Sequence, residues 1–279
     1  MTGHTTMDLR ISSMPNLRDA GGHRTAGGGL MRSGLLYRSD HIAQVSPEDR
    51  AALAGLGIRF VYDLRTEAER AVLPGERIPG ATHVVLDVMA DDRQAAPAQL
   101  LRLLERPRAA KALLGGGRAA ALFVEGYRSV VKLPSALAGF RRLYGGLAEA
   151  GSLPALCHCT TGKDRTGWAC AALQTLLGVP YDDVMEDFLA SNRYVRPKYQ
   201  SRVEEFAARG GDAALLDPVL GVLPEYLEAS FDEVRRAYGS IEGYFCEGLG
   251  LDARAQQALR DRFVITGPGL DRTRAQESQ

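Results

Sequence analysis

The chemistry that can be read from this chain is concentrated in one stretch, Leu156-Cys157-His158-Cys159-Thr160-Thr161-Gly162-Lys163-Asp164-Arg165-Thr166-Gly167. An apolar run ends at His158, a short loop follows, and helical spacing begins at Arg165. A loop of this kind turns backbone N–H groups into one concavity at the positive end of a helix dipole, which makes an anion site. The same field favours a thiolate at Cys159. Arg165, six residues on, can fold back and grip two oxygens of a tetrahedral oxyanion as a planar fork. Gly162 and Gly167 permit close backbone approach. Thr166 can offer its hydroxyl to the sulfur, and His158 can brace the loop from behind. A nucleophile beside an oxyanion cradle suits phosphoryl transfer.

The string is specific. With 4 Cys and 30 Arg in 279 residues, a Cys followed six positions later by Arg occurs by chance about 0.4 times. Adding the preceding His and the following hydroxyl residue takes this below about 0.001. A zinc site from Cys157, His158 and Cys159 is poor, because adjacent strand residues point to opposite faces and no second Cys/His pair follows at ligand spacing. A nucleotide P-loop is excluded, since Asp164 and not Ser/Thr follows Gly162-Lys163.

Elements must position this loop. Ile58–Leu64, Thr82–Leu86 and Leu153–His158 are short apolar runs that read as buried strands, and Leu30–Tyr37 has strand character. Ser46-Pro47-Glu48-Asp49 opens a helix with Ser as N-cap and Pro at N1. Arg118–Leu133 and Pro134–Ala150 have helical spacing broken at Pro134. A helix is expected from Arg165 to Leu177, and Pro180-Tyr181-Asp182-Asp183 opens helical sequence that continues to about Phe263. Strands alternating with helices argue an α/β fold, with a largely parallel sheet flanked by helices and an all-helical C-terminal extension. The ends and the stretches Asp91–Pro97 and Gly115–Gly117 read as loose.

Composition is ordinary for a globular protein, with 45% hydrophobic and 24% charged residues. The 34 Lys+Arg balance 34 Asp+Glu, so net charge is +0, and a general nucleic-acid binder is not expected. Four Cys do not make a disulfide scaffold in a chain of this length. No apolar run is long enough to span a membrane, no secretory leader is evident, and the expected compartment is the cytoplasm.

His-Cys-x5-Arg-Thr-Gly resembles the signature of the cysteine-dependent protein tyrosine phosphatase superfamily. The string His158-Cys159-x-x-Gly162-Lys163-Asp164-Arg165-Thr166-Gly167 is similar to that of its bacterial tyrosine/serine phosphatases. The likeness extends through Asn16-Leu17-Arg18-Asp19, Leu36-Tyr37-Arg38-Ser39, Asp63-Leu64-Arg65, Asp187 to Asn192, Gly221 to Leu227 and Tyr238 to Tyr244. It implies one catalytic domain over residues 12–265 with loose ends at 1–11 and 266–279. It also implies that Cys159 attacks phosphorus and becomes a phosphocysteine. Arg165 and the N–H groups of Thr160, Thr161, Gly162, Lys163, Asp164 and Arg165 would hold the phosphoryl oxygens. Thr166 would stabilise the departing thiolate. Neither metal nor cofactor is required.

The leaving oxygen needs a proton from a carboxylic acid. Asp87 and Asp164 are equal candidates, with Asp91 and Asp92 as alternative placements of the first. Lys163 in the loop resembles phosphatases that act on phosphoinositides as well as proteins. Expected substrates are therefore phosphotyrosine, phosphoserine/threonine and inositol lipids. Helices near Leu100–Leu133 and Pro197–Leu216 exceed a minimal phosphatase core; the resemblance implies that residues 197–216 form either a lid over the site or extra core packing.

Bland readings are favoured elsewhere. Asp63 and Arg65 read as a structural ion pair, and Asn16, Arg18 and Asp19 as a turn supporting the site. Ser191-Asn192 reads as a helix C-terminus. Cys157, Cys170 and Cys246 read as core, and Trp168 as packing. Two other classes compete: a further Cys-loop anion enzyme such as an arsenate reductase or sulfurtransferase, and a phosphate-binding module without turnover.

Overall fold

The computed structural model describes residues 9, 11–92 and 107–267. Five strands form the main sheet: β1 (Arg18–Asp19), β3 (Leu36–Ser39), β4 (Phe60–Asp63), β5 (Thr82–Val85) and β6 (Ala155–His158). Their order is β1-β3-β6-β4-β5, parallel except for the β1–β3 pair. The central strand β6 is buried along its whole length, as its apolar sequence requires. Side chains alternate between two cores. Leu36, Tyr62, Ala155 and Cys157 join one, while Tyr37, Val61 and Leu156 join the other.

The strand expected over Leu30–Tyr37 is two. Residues Leu30–Met31 form β2, which pairs with β7 (Val264–Ile265), and β3 starts at Leu36. The reversal between them runs through Gly34 at φ +76°, which glycine adopts freely.

Helix α1 (Pro47–Gly55) begins as the sequence dictates, with Ser46 Oγ accepting the Asp49 N–H at 3.1 Å. Helix α2 (Glu67–Val72) is short and opens with a capping box between Thr66 and Glu69. Helices α3 (Pro107–Leu114), α4 (Arg118–Val130) and α5 (Pro134–Ala148) precede β6, and Pro134 stands at the first turn of α5. After the loop come α6 (Arg165–Leu176) and α7 (Tyr181–Lys198). The C-terminal third continues with α8 (Gln200–Ala208), a 3-10 turn (Ala213–Leu216), α9 (Asp217–Leu220), α10 (Pro224–Tyr238), α11 (Ile241–Gly243) and α12 (Ala253–Phe263).

Helix α6 carries almost no exposed side chains. Trp168 is fully buried and packs edge-on against Phe231 and Tyr244. A third, smaller core joins Ala110, Leu114 and Ala119 to Val195, Tyr199, Phe206 and Leu216, tying α3 and α4 to the segment around residues 195–220. Three expectations are corrected or fall outside the structure. Ser191 and Asn192 lie inside α7, which runs on to Lys198, because both side chains find partners in the interior. Cys246 is exposed: the chain makes a π-turn at Tyr244–Gly248, which sends Tyr244 and Phe245 inward and turns Cys246 out. The expected loose ends, part of Asp91–Pro97 and the start of Leu100–Leu133 lie largely outside the described residues.

Candidate active site

Ser39, His158 and Asp63 sit abreast in register at the carboxyl ends of three parallel strands. The chain segments that leave these ends converge, which is where α/β sheets place their ligands. From β6 comes the Cys159 loop, from β3 Asp40-His41, and from β4 the turn Leu64-Arg65-Thr66 into α2.

The loop is held by its carbonyl oxygens. His158 Nδ1 lies 3.0 Å from the Cys159 carbonyl, and opposite a carbonyl the ring nitrogen must donate. The His41 ring and backbone N–H both reach the Thr160 carbonyl, at 3.0 and 3.2 Å. Asn16 Nδ2 donates to the Thr161 carbonyl at 2.8 Å, and Arg38 Nη2 to that of Gly162 at 3.0 Å. Four consecutive carbonyls therefore have donors outside the loop. Gly162 has φ +69°, and a Cβ there would lie 2.3 Å from the Ser39 carbonyl oxygen, so only glycine fits. A side chain at Gly167 would meet Phe188 at 2.9 Å.

The donors are themselves anchored in a buried ion network. Arg18 Nε and Arg38 Nη1 grip the two oxygens of Asp187 at 3.1 and 2.7 Å, and both guanidinium groups reach Ser191 Oγ. Burial alone would raise the Asp187 pKa, but the two arginines outweigh it and hold the carboxyl well below the usual range. Asp19 accepts the Gly21 and Gly34 N–H groups and braces the adjoining turn. Asp63 pairs with Arg65 at 2.7 Å and lies 4.0 Å from His158 Nδ1. Burial pushes His158 down despite Asp63, so its ring is neutral.

Arg165 is 5% exposed, and its Nη1 and Nη2 each lie 2.7 Å from an oxygen of Glu69. Nη1 also donates to the Leu64 carbonyl at 3.2 Å. Its Nε edge has no hydrogen bond among the described residues. Thr160 Oγ1 donates to the same carboxylate, as do the Thr66 N–H and hydroxyl. Burial would raise Glu69, but Arg165 and these donors bring it down to about 2. For Arg165, burial is likewise outweighed by Cys159 and Glu69, which hold it firmly charged. Glu69 lies outside the motifs that point to the site, and its signal in the sequence is the capping-box pattern Thr66-x-x-Glu69.

Cys159 is 1% exposed, and the Thr166 hydroxyl is buried without a hydrogen-bond partner among the described residues. The candidate acids are placed apart. Asp164 Oδ1 accepts from Tyr127 Oη and from Lys163 Nζ, each at 2.9 Å. Asp87 accepts the Glu67 N–H at the start of α2 (3.0 Å) and the Met89 N–H (3.1 Å). Asp91 accepts the Ser135 N–H in the first turn of α5 at 2.6 Å, and Asp92 follows it on the same turn. Lys163 is 3% exposed, donates also to the Gly221 carbonyl at 3.0 Å, and sits 4.9 Å over the Phe123 ring. Lys198 pairs with buried Asp40, beside His41. Burial holds the Cys157 and Cys170 thiols up, Cys170 to about 11, which makes both inert core residues. No helix among the described residues is long and apolar enough to cross a membrane.

Comparison with known proteins agrees with this geometry. A sequence model of the tyrosine phosphatase family matches residues 9–265. A Cupriavidus necator protein whose name places it among the tyrosine-protein phosphatases is 33% identical over 247 residues, covering 88% of this chain and 85% of that one. The triple specificity protein phosphatase PtpB of Mycobacterium tuberculosis is 32% identical over 280 residues, covering 90% of this chain and 96% of that one. A tyrosine-protein phosphatase of Nostoc commune is 28% identical, covering 82% and 74%. With the Cys159–Arg165 loop at the carboxyl end of its central strand and a family match along most of its length, the chain belongs to the tyrosine phosphatase family, as an enzyme of its bacterial tyrosine/serine branch.

Proposed function

We propose that this protein hydrolyses phosphotyrosine, and phosphoserine and phosphothreonine as well, through a phosphocysteine on Cys159. The observation that carries the reading is the orientation of the loop: four carbonyls bonded outward leave the N–H groups of residues 160–165 to line the concavity above the sulfur. Arg165, fixed on one edge by Glu69, presents its Nε edge to the phosphoryl oxygens. The S–P bond forms as the P–O bond to the leaving group breaks. Water then attacks phosphorus, the S–P bond breaks, and the sulfur leaves as a thiolate that accepts the Thr166 hydroxyl.

Of the two candidate acids we favour Asp164. Its carboxyl belongs to the loop and is partly exposed, whereas both oxygens of Asp87 are engaged by backbone N–H groups. Asp164 gives a proton to the leaving oxygen in the first step and takes one from the attacking water in the second. Residues 12–265 act as one catalytic unit in the cytoplasm. Residues 197–216 serve as a cover over the sulfur, a reading supported by the burial of Cys159 and by the Lys198–Asp40 ion pair, which ties this segment to the residue that follows β3. The name of the mycobacterial relative supports broad specificity. Phosphoinositide turnover is the second reading. It requires the Lys163 ammonium to exchange Asp164 and Gly221 for a headgroup phosphate.

The test is phosphate release, without added metal, from a phosphotyrosine peptide, a phosphoserine peptide and a phosphoinositide, by the parent and by Cys159→Ser. Turnover of both peptides that vanishes in Cys159→Ser supports the proposal. Peptide binding without turnover would instead mark a binding module.

A further inference from the structure

Asp164 stands at the N-cap of α6, where an aspartate ordinarily accepts a backbone N–H from the first turn. Here its side chain makes no such bond. One oxygen, Oδ1, is taken by two donors at 2.9 Å, the Tyr127 hydroxyl and the Lys163 ammonium. The other, Oδ2, has no partner among the described residues. With Oδ1 occupied by these two donors, Oδ2 is the oxygen left to hold a transferable proton.

We propose that Tyr127 is the positioning residue of the general acid: its hydroxyl fixes the Asp164 carboxyl so that the transferable proton sits on Oδ2, on the side free to meet the leaving oxygen. The inference rests on Asp164 being that acid. When the P–O bond breaks, the proton passes from Oδ2 to the leaving oxygen, and the carboxylate left behind keeps both donors on Oδ1. In the hydrolysis step Oδ2 takes a proton back from the water that attacks phosphorus.

Three features suit Tyr127 to this task. Its ring is locked, edge-on to Phe188 and against Tyr226, which stacks in turn on Phe123. Its backbone is tied to α10 by the Ser230 hydroxyl, which donates to the Tyr127 carbonyl at 2.8 Å. Burial, with Asp164 beside it, pushes the phenol well above its ordinary range, so it remains a donor at every working pH. A pinned phenol costs little ordering when it holds its acceptor.

The experiment is kcat/KM for a series of aryl and alkyl phosphates of rising leaving-group basicity, measured on the parent, Tyr127→Phe, Asp164→Asn and the double variant. Phe keeps the ring packing, and ratios between substrates do not depend on the fraction of folded enzyme. The parent should be nearly flat across the series and Asp164→Asn steep. Tyr127→Phe should leave a dinitrophenyl phosphate within about twofold and cost about tenfold on an alkyl phosphate. In the Asp164→Asn background Tyr127→Phe should add nothing. Uniform loss across the series, or none, in Tyr127→Phe with Asp164→Asn steep would overturn the role of Tyr127 while sparing the acid. A flat Asp164→Asn would overturn the acid assignment and with it this inference.

Discussion

Glu69 holds Arg165 end-on, each carboxylate oxygen 2.7 Å from one Nη of the guanidinium. A residue that begins as the N3 position of a six-residue helix thus sets the orientation of Arg165, the arginine proposed to grip the phosphate. Replacing it by Gln keeps the shape and removes the charge. Glu69→Gln should lower kcat/KM by about tenfold or more, the scale of one lost charge-assisted bond. Because Glu69 is ionised down to about pH 2, the parent pH–rate profile should show no limb from it above that pH. Steady-state kinetics from acid to neutral pH would check both statements, and an unchanged kcat/KM in Glu69→Gln would count against this positioning role.

Acid stability carries the same signature. Glu69 and Asp187 both titrate lower in the folded chain than in the unfolded one. Their contribution is present above the unfolded values and is lost as pH falls through the folded ones. For Glu69 that window runs from about 4.5 down to about 2. Denaturant melts through this window should show falling stability, and Glu69→Gln should flatten part of the slope.

Asp187 joins two buried arginines that together support the loop and its anchors. Asp187→Asn should cost about 3–5 kcal/mol, the usual consequence of breaking a buried pair from one side. For a chain of this size that amounts to roughly 5–9 °C in Tm. Scanning calorimetry would measure it, and a change of a degree or two would mean the arginines find other partners.

Gly162→Ala isolates the loop conformation. The positive φ and the Ser39 backbone leave no room for a Cβ, so the N–H cradle must distort. Phosphate or vanadate affinity should fall by at least about tenfold, roughly 1.4 kcal/mol, while the helices remain folded. Isothermal titration beside circular dichroism separates the two effects.

The sequence disclosed the loop, the β6–α6 frame and the largely parallel sheet, because these rest on local signals: an apolar run, glycines at tight positions, a Ser-Pro helix start. It also pointed to Asp63–Arg65 as an ion pair and to Trp168 as packing. What it concealed depends on pairs distant along the chain. Glu69 meets Arg165 across 96 residues and Tyr127 meets Asp164 across 37, separations at which no spacing rule operates. Leu30–Tyr37 divides at Ser33-Gly34, a turn signal that apolar content alone overrides. Cys246 was read inward because a π-turn shifts the phase of an otherwise helical pattern. The partners of Lys163 were equally hidden, since it is buried against Asp164, Gly221 and Phe123, the last two 58 and 40 residues away.

The nucleophile is the central claim, and trapping it is the most direct test. Parent enzyme would be mixed with an aryl phosphate, quenched within one turnover and examined by intact mass and peptide mapping, with Cys159→Ser beside it. A single phosphoryl group on Cys159 that forms and decays at the turnover rate, and is missing from Cys159→Ser, is the predicted result. Turnover without a covalent intermediate, or a phosphoryl group on another residue, would contradict the mechanism.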